Sequence, residues 1–202
     1  MTRFSRAPHP ATPPRTGLLG GVFDPPHLGH VALARAAVEQ LELEKLLVLV
    51  VADPGHKDVA TPATTRLELA RLAFADVPGA EVELDSHGRT VDSLEARRLD
   101  DAVFVLGADE FADFPKWKRP ERVLELVRLA VAKRPGVPDE RMRETFVRLS
   151  APDRISYFDL SPVPVSSSLV RERVARGEPM DDLVPPAVAE EVARLGLYGR
   201  AE

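Results

Sequence analysis

The chain has 202 residues, 27 basic and 32 acidic side chains for a net charge of −5, 44% hydrophobic residues and no cysteine. This length buries a full core without covalent staples, and the missing cysteine excludes disulfides, thiolate metal sites and cysteine nucleophiles. Mild net acidity argues against a nucleic-acid-binding face. No apolar run approaches the roughly 20 residues of a membrane span, so a cytoplasmic protein away from membranes is expected.

Residues 1–15 contain four prolines, three arginines and no acid, without hydrophobic periodicity, and are expected to form a disordered extension. From Thr16 onward, short apolar runs alternate with amphipathic stretches, the pattern of successive βα units. The first strand is expected over 18–22 and a helix over 27–41. The run Leu46-Leu47-Val48-Leu49-Val50-Val51-Ala52 is apolar at every position, so both faces of that strand need cover, as in a central parallel strand. A helix over 64–75, a strand over 80–84, a helix over 91–99 and a strand over 102–106 follow. Helices over 121–127 and 139–149 flank a strand over 129–132, and the last strand is expected over 155–160. Beyond it, helical segments at 167–176 and 186–195 have no strand between them and are expected to cap the sheet's ligand edge. The predicted fold is an α/β, Rossmann-like, doubly wound parallel sheet with a C-terminal helical cap, residues 16–202 forming one domain.

The most informative stretch is Gly20-Gly21-Val22-Phe23-Asp24-Pro25-Pro26-His27-Leu28-Gly29-His30, where the first strand hands over to the first helix. Gly20 and Gly21 allow close backbone approach to a ligand, Asp24 suits a helix cap, Pro25 suits the first helical position, and the helix start carries partial positive charge. His27 and His30 are three residues apart and share a helix face, so both imidazoles can meet one phosphate. The pair is also two-thirds of a zinc set, but no third ligand lies nearby in sequence. Nucleotidyl transfer needs such groups: a phosphate attacks the α-phosphate of a nucleoside triphosphate in line, pyrophosphate leaves, and the protein positions the chain and neutralises charge.

This segment resembles the GxFDPxHxGH signature of the HxGH nucleotidyltransferases, whose fold is Rossmann-like. Val165-Ser166-Ser167-Ser168-Leu169-Val170-Arg171 is similar to their ISSTxIR motif, with Ser168 in place of threonine. A serine-rich helix start is by itself an ordinary N-cap. Among these enzymes the chain is most similar to the bacterial nicotinate-nucleotide adenylyltransferase family, from Thr16 to Tyr198. The resemblance implies transfer of AMP from ATP to nicotinate mononucleotide, giving deamido-NAD and pyrophosphate in NAD biosynthesis.

By that resemblance, His27, His30 and Arg171 are catalytic. Gly20, Gly21, Val22, Phe23, Gly107, Asp109, Ser167 and Ser168 complete the ATP site. Asp24, His56, Lys57, Thr90, Asp109, Trp117 and Arg134 contact the acceptor. The last set rests on Phe104-Val105-Leu106-Gly107-Ala108-Asp109, Phe114-Pro115-Lys116-Trp117, Lys133-Arg134-Pro135-Gly136, Asp53-Pro54-Gly55-His56-Lys57 and Gly88-Arg89-Thr90, the last with Arg89 where the family has tyrosine. Trp117 is the only tryptophan, and indole stacks well on an electron-poor ring. Mg2+ is expected to arrive with ATP, with no dedicated metal site. The expected partners are the two nucleotides, with self-association left open. The alternatives are a sibling transferase acting on nicotinamide mononucleotide or phosphopantetheine, and a nucleotide-binding module without catalysis.

Overall fold

The computed structural model describes residues 16–55, 59, 61–133 and 140–199. The expected extension at 1–15, and His56, Lys57 and Arg134, lie outside the described residues. Six parallel strands form one sheet in the order β3-β2-β1-β4-β5-β6. They are β1 (Thr16–Gly21), β2 (Lys45–Val51), β3 (Ala80–Asp85), β4 (Ala102–Leu106), β5 (Arg128–Lys133) and β6 (Ile155–Asp159). All six expected strands are present, with no end moved by more than two residues.

Leu46 to Val50 are buried at every position, as a strand covered on both faces requires. One face is covered by α1 (Leu28–Gln40) and α2 (Ala63–Phe74), together with α7 (Ser167–Ala175) and α8 (Pro186–Arg194). The other is covered by α3 (Thr90–Arg97), α4 (Ala108–Asp113), α5 (Pro120–Leu126) and α6 (Glu140–Phe146). The chain is thus an α/β, Rossmann-like, doubly wound sheet. Order reverses beside β1, so the connections leaving β1 and β4 turn to opposite faces and leave a crevice at the strands' carboxyl ends.

Two local expectations need correction. Helix α1 starts at Leu28 with His27 as its N-cap in extended backbone (φ −141°, ψ 171°), so neither Asp24 nor Pro25 belongs to it. Asp24 is instead engaged by a residue from the far end of the chain, described below. Helix α4 is additional: six residues directly after a strand are too few to show a helical period. The C-terminal cap reaches the sheet's ligand edge through the start of α7 and through Leu183 and Tyr198. Helix α8 turns Val188 and Val192, one turn apart, into the α1–α2 side of the core, where apolar burial holds it. At the β6 edge, Gln40 donates its side-chain Nε2–H to the Asp159 carbonyl (2.7 Å) and accepts the Asp159 N–H (3.0 Å).

Candidate active site

At the carboxyl ends of the strands lies a cleft of about 880 Å³. One wall is the β1–α1 loop, with Gly20, Gly21, Val22, Phe23 and His30. The opposite wall carries Thr90 at the start of α3 and Trp117 after α4, and Ser167 of α7 closes one end.

The β1–α1 loop turns at Phe23, whose φ is 53°. The space a side chain would need at the two glycines is filled by aromatic rings: a Cβ on Gly21 would lie 2.6 Å from Phe23 Cζ, and one on Gly20 would lie 3.1 Å from Phe104 Cζ. Their small size therefore admits the protein's own rings as well as exposing backbone to the cleft. Phe23 packs edge-on against His30, with centroids 5.0 Å apart, and against Phe74 at 5.5 Å.

His30 lies between Phe23 and His27, and the two imidazoles stack with centroids 3.6 Å apart. The His27 main-chain N–H donates to His30 Nδ1 (3.2 Å), which places the proton of neutral His30 on Nε2. His27 is 8% exposed, and burial pushes its imidazole down to about 4. It is therefore uncharged at neutral pH and offers an N–H donor rather than a full charge. Its Nδ1 is buried beside Gly29 without a hydrogen-bond partner. A Cβ on Gly29 would come within 3.1 Å of the His27 ring and 3.2 Å of Val165, which explains the glycine between the histidines.

Three distant segments grip this loop. Ser167 Oγ donates to the Pro25 carbonyl (2.8 Å), and Arg171 Nη1 donates to the Asp24 carbonyl (2.6 Å). Arg171 Nη2 also reaches Ser168 Oγ (3.2 Å). These two bonds use two of the five N–H groups of a guanidinium. Ser166, the residue before these, is the N-cap of α7 and accepts the Leu169 N–H (3.1 Å). The Leu28 N–H at the start of α1 donates to the Leu183 carbonyl (2.9 Å). Finally, the Tyr198 hydroxyl donates to Asp24 Oδ1 (2.7 Å).

On the opposite wall, Trp117 packs edge-on against Phe104 (6.0 Å) and Phe114 (5.3 Å), so one side of the indole is anchored beside the cleft. Gly107 is the N-cap of α4, and its N–H donates to Glu110 Oε2 (3.2 Å). Asp109 is therefore not the cap; its side chain is 92% exposed and lies 3.6 Å from Arg141. Gly20, Gly21, Val22, Phe23, His30, Thr90, Trp117 and Ser167 line one cleft. His27 stacks behind His30, while Asp24, Gly107, Asp109, Ser168 and Arg171 sit outside the lining. Asp85 and His87 do line it and had no sequence signal; the Asp85 carboxylate accepts the His87 Nδ1–H at 2.8 Å.

Residues 18–173 match the family model described as cytidylyltransferase-like. The chain belongs to the cytidylyltransferase-like family. Within this family, a protein of Thermus thermophilus named "Probable nicotinate-nucleotide adenylyltransferase" is 40% identical over 193 residues, 91% of this chain and 99% of that one. A protein of the same name from Bordetella avium is 35% identical over 192 residues, covering 91% and 98%. Two solved structures of the Plasmodium falciparum nicotinic acid mononucleotide adenylyltransferase share the cytidylyltransferase-like fold. The complex with APC has a TM-score of 0.72 at 14% identity, and that with NaAD 0.74 at 15%; both cover 91% of this chain and 96% of that one.

Proposed function

We infer that the protein is an ATP-dependent nicotinate-nucleotide adenylyltransferase, which joins AMP from ATP to nicotinate mononucleotide and releases pyrophosphate, yielding deamido-NAD. The observation that carries this reading is the stacked His27–His30 pair at a helix start, with His30 facing across one cleft the Trp117 indole and the start of α3. Its full-length similarity to the Thermus and Bordetella proteins supports the same reading.

In the reaction, a phosphate oxygen of the mononucleotide attacks the α-phosphorus of ATP, and the bond to the bridging α–β oxygen breaks. We assign His27 and His30 as N–H donors to the phosphate oxygens that gain charge. Arg171, Ser167 and Ser168 take the departing pyrophosphate, with Gly20, Gly21, Val22 and Phe23 forming the floor and Gly107 and Asp109 the edge toward the ribose. Trp117 stacks on the pyridine ring, and the first N–H groups of α3 at Thr90 receive its carboxylate. Asp24 and Asp109, with His56, Lys57 and Arg134 outside the described residues, complete the proposed acceptor contacts.

Mg2+ enters as part of the nucleotide substrate. Among the described residues no group of three or more His, Asp or Glu is placed to hold a metal, and the donors at the cleft suit phosphate oxygens better than a cation. We further propose that residues 16–202 work as one nucleotidyltransferase domain and that the reaction takes place in the cytoplasm. Among the described residues no helix is long and apolar enough to cross a membrane. The test is pyrophosphate release from ATP with nicotinate and nicotinamide mononucleotides side by side. Faster turnover of the acid supports the reading. A preference for the amide moves the enzyme to a sibling substrate, and ATP binding without release removes the catalytic reading.

A further inference from the structure

Arg66 belongs to none of the motifs, yet it is 1% exposed and heads the fully buried side chains by volume. Its guanidinium makes four hydrogen bonds, all to main-chain carbonyls. Nε donates to Thr61 (3.1 Å), Nη1 to Val22 (2.8 Å) and Val51 (2.8 Å), and Nη2 to Ala52 (2.9 Å). The β1–β2 register runs out at Gly21 and Val50, so Val22 and Val51 are the first residues beyond it, where the strands part. A planar fork with fixed donor directions can hold several such oxygens at once; an ammonium group cannot reproduce that spread.

The location of these oxygens matters. Val22 immediately precedes Phe23, where the backbone turns and begins the run to His27. Two residues on, Asp24 Oδ1 accepts the Tyr198 hydroxyl, and the Thr61 side chain lies beside the same phenol. Burial holds that phenol in its protonated form, above the ordinary range. Thr61 therefore joins the two halves, its carbonyl on Arg66 and its side chain beside Tyr198. The loop from 22 to 24 is pinned at both ends by side chains outside the lining of the cleft.

We propose that Arg66, with Thr61 and Tyr198, is the positioning set of the adenylyl-transfer centre, fixing the 22–27 loop so that His27 and His30 meet the α-phosphate together. The proposal rests on the adenylyltransferase reading and deepens it. It separates two properties of Arg66: a buried positive charge, which lysine would keep, and a fork of directed donors, which lysine would lose.

The experiment compares Arg66→Met, Arg66→Lys and Tyr198→Phe with the unaltered protein. Turnover is measured per nucleotide-binding site titrated with ATP, alongside the ATP dissociation constant, thermal unfolding and the imidazole NMR signals of His27 and His30. Both Arg66 variants are expected to lose at least about tenfold in kcat while ATP affinity stays within about threefold. Tyr198→Phe, which removes one oxygen, is expected to lose about three- to fivefold. The imidazole signals should shift in every variant without substrate.

Full activity in Arg66→Lys would show that charge and not geometry matters, and would overturn the proposal. So would a lowered unfolding temperature with unchanged turnover per titrated site and unmoved imidazole signals, which is the mark of a merely structural role. If Arg66 variants fail to fold, Tyr198→Phe decides by the same readouts. The NMR signals need no reaction, so they judge the mount even if the unaltered protein proves inactive with nicotinate mononucleotide, a result that would strike the functional reading instead.

Discussion

On the cleft wall that carries His27 and His30, side chains from distant segments bond main-chain oxygens; on the wall that carries Thr90 and Trp117, exposed side chains pair charge with charge. Ser167, Arg171 and Arg66 each donate to carbonyls of the β1–α1 loop or the strand ends. Across the cleft, Lys118 meets Asp92 at 2.9 Å, and Glu95 receives both Arg119 (2.7 Å) and Arg122 (3.0 Å). These pairs tie the Trp117 segment to α3, and they stand in water. The lesson is a division of labour. In the proposed reaction, bonds to backbone would fix where the phosphates react and be insensitive to salt, whereas exposed ion pairs would hold the acceptor wall weakly enough for its shape to be adjusted.

That contrast can be broken most directly at the histidines. Replacing His27 or His30 with alanine should lower kcat by about 10²–10³-fold, as removal of one charge-stabilising donor does. Circular dichroism should show the fold retained. Near-normal turnover in both variants would mean that the chemistry lies on the other wall.

A second effect is on stability. The folded His27 imidazole sits at about 4 against 6.5 for the ordinary group, so between those values the unfolded chain binds more protons than the folded one. The contribution is fully present above pH 6.5 and fades as pH falls toward 4, amounting to about 3 kcal/mol. Denaturant unfolding at pH 7 and pH 4 should show this loss, and a His27→Gln variant should lose that share of the pH dependence.

Smaller still, Trp117→Ala should raise the KM for the mononucleotide about tenfold and leave that for ATP nearly unchanged. The least effect belongs to the exposed pair: Asp92→Asn should raise the acceptor KM by about two- to threefold at low ionic strength, and the difference should vanish near 1 M salt. Burial of Lys118–Asp92 in the substrate complex would instead make it persist, which would erase the contrast between the walls.

The sheet was legible because its inner strands are apolar on both faces; a run such as Leu46 to Val51 has no other stable home. The histidine pair was legible because one contiguous motif holds it. Two things were hidden for opposite reasons. Arg66 sits in Thr-Arg-Leu-Glu-Leu-Ala-Arg-Leu, where a charge on an amphipathic helix reads as a solvated face; nothing local says that it turns inward to the strand ends. Tyr198 and Asp24 are 174 residues apart, and no pattern in one chain pairs them. The misplaced helix start has a similar origin: Asp24-Pro25 has the composition of a cap, but long-range bonds claim it first. Asp109 shows the reverse: its motif position is evident in the sequence, but its 92% exposure beside Arg141 is not.

The loop that holds the histidines is translated early, whereas its supports at Ser167, Arg171, Leu183 and Tyr198 are translated late. In chain order, the last of these bonds to the histidine loop waits for Tyr198.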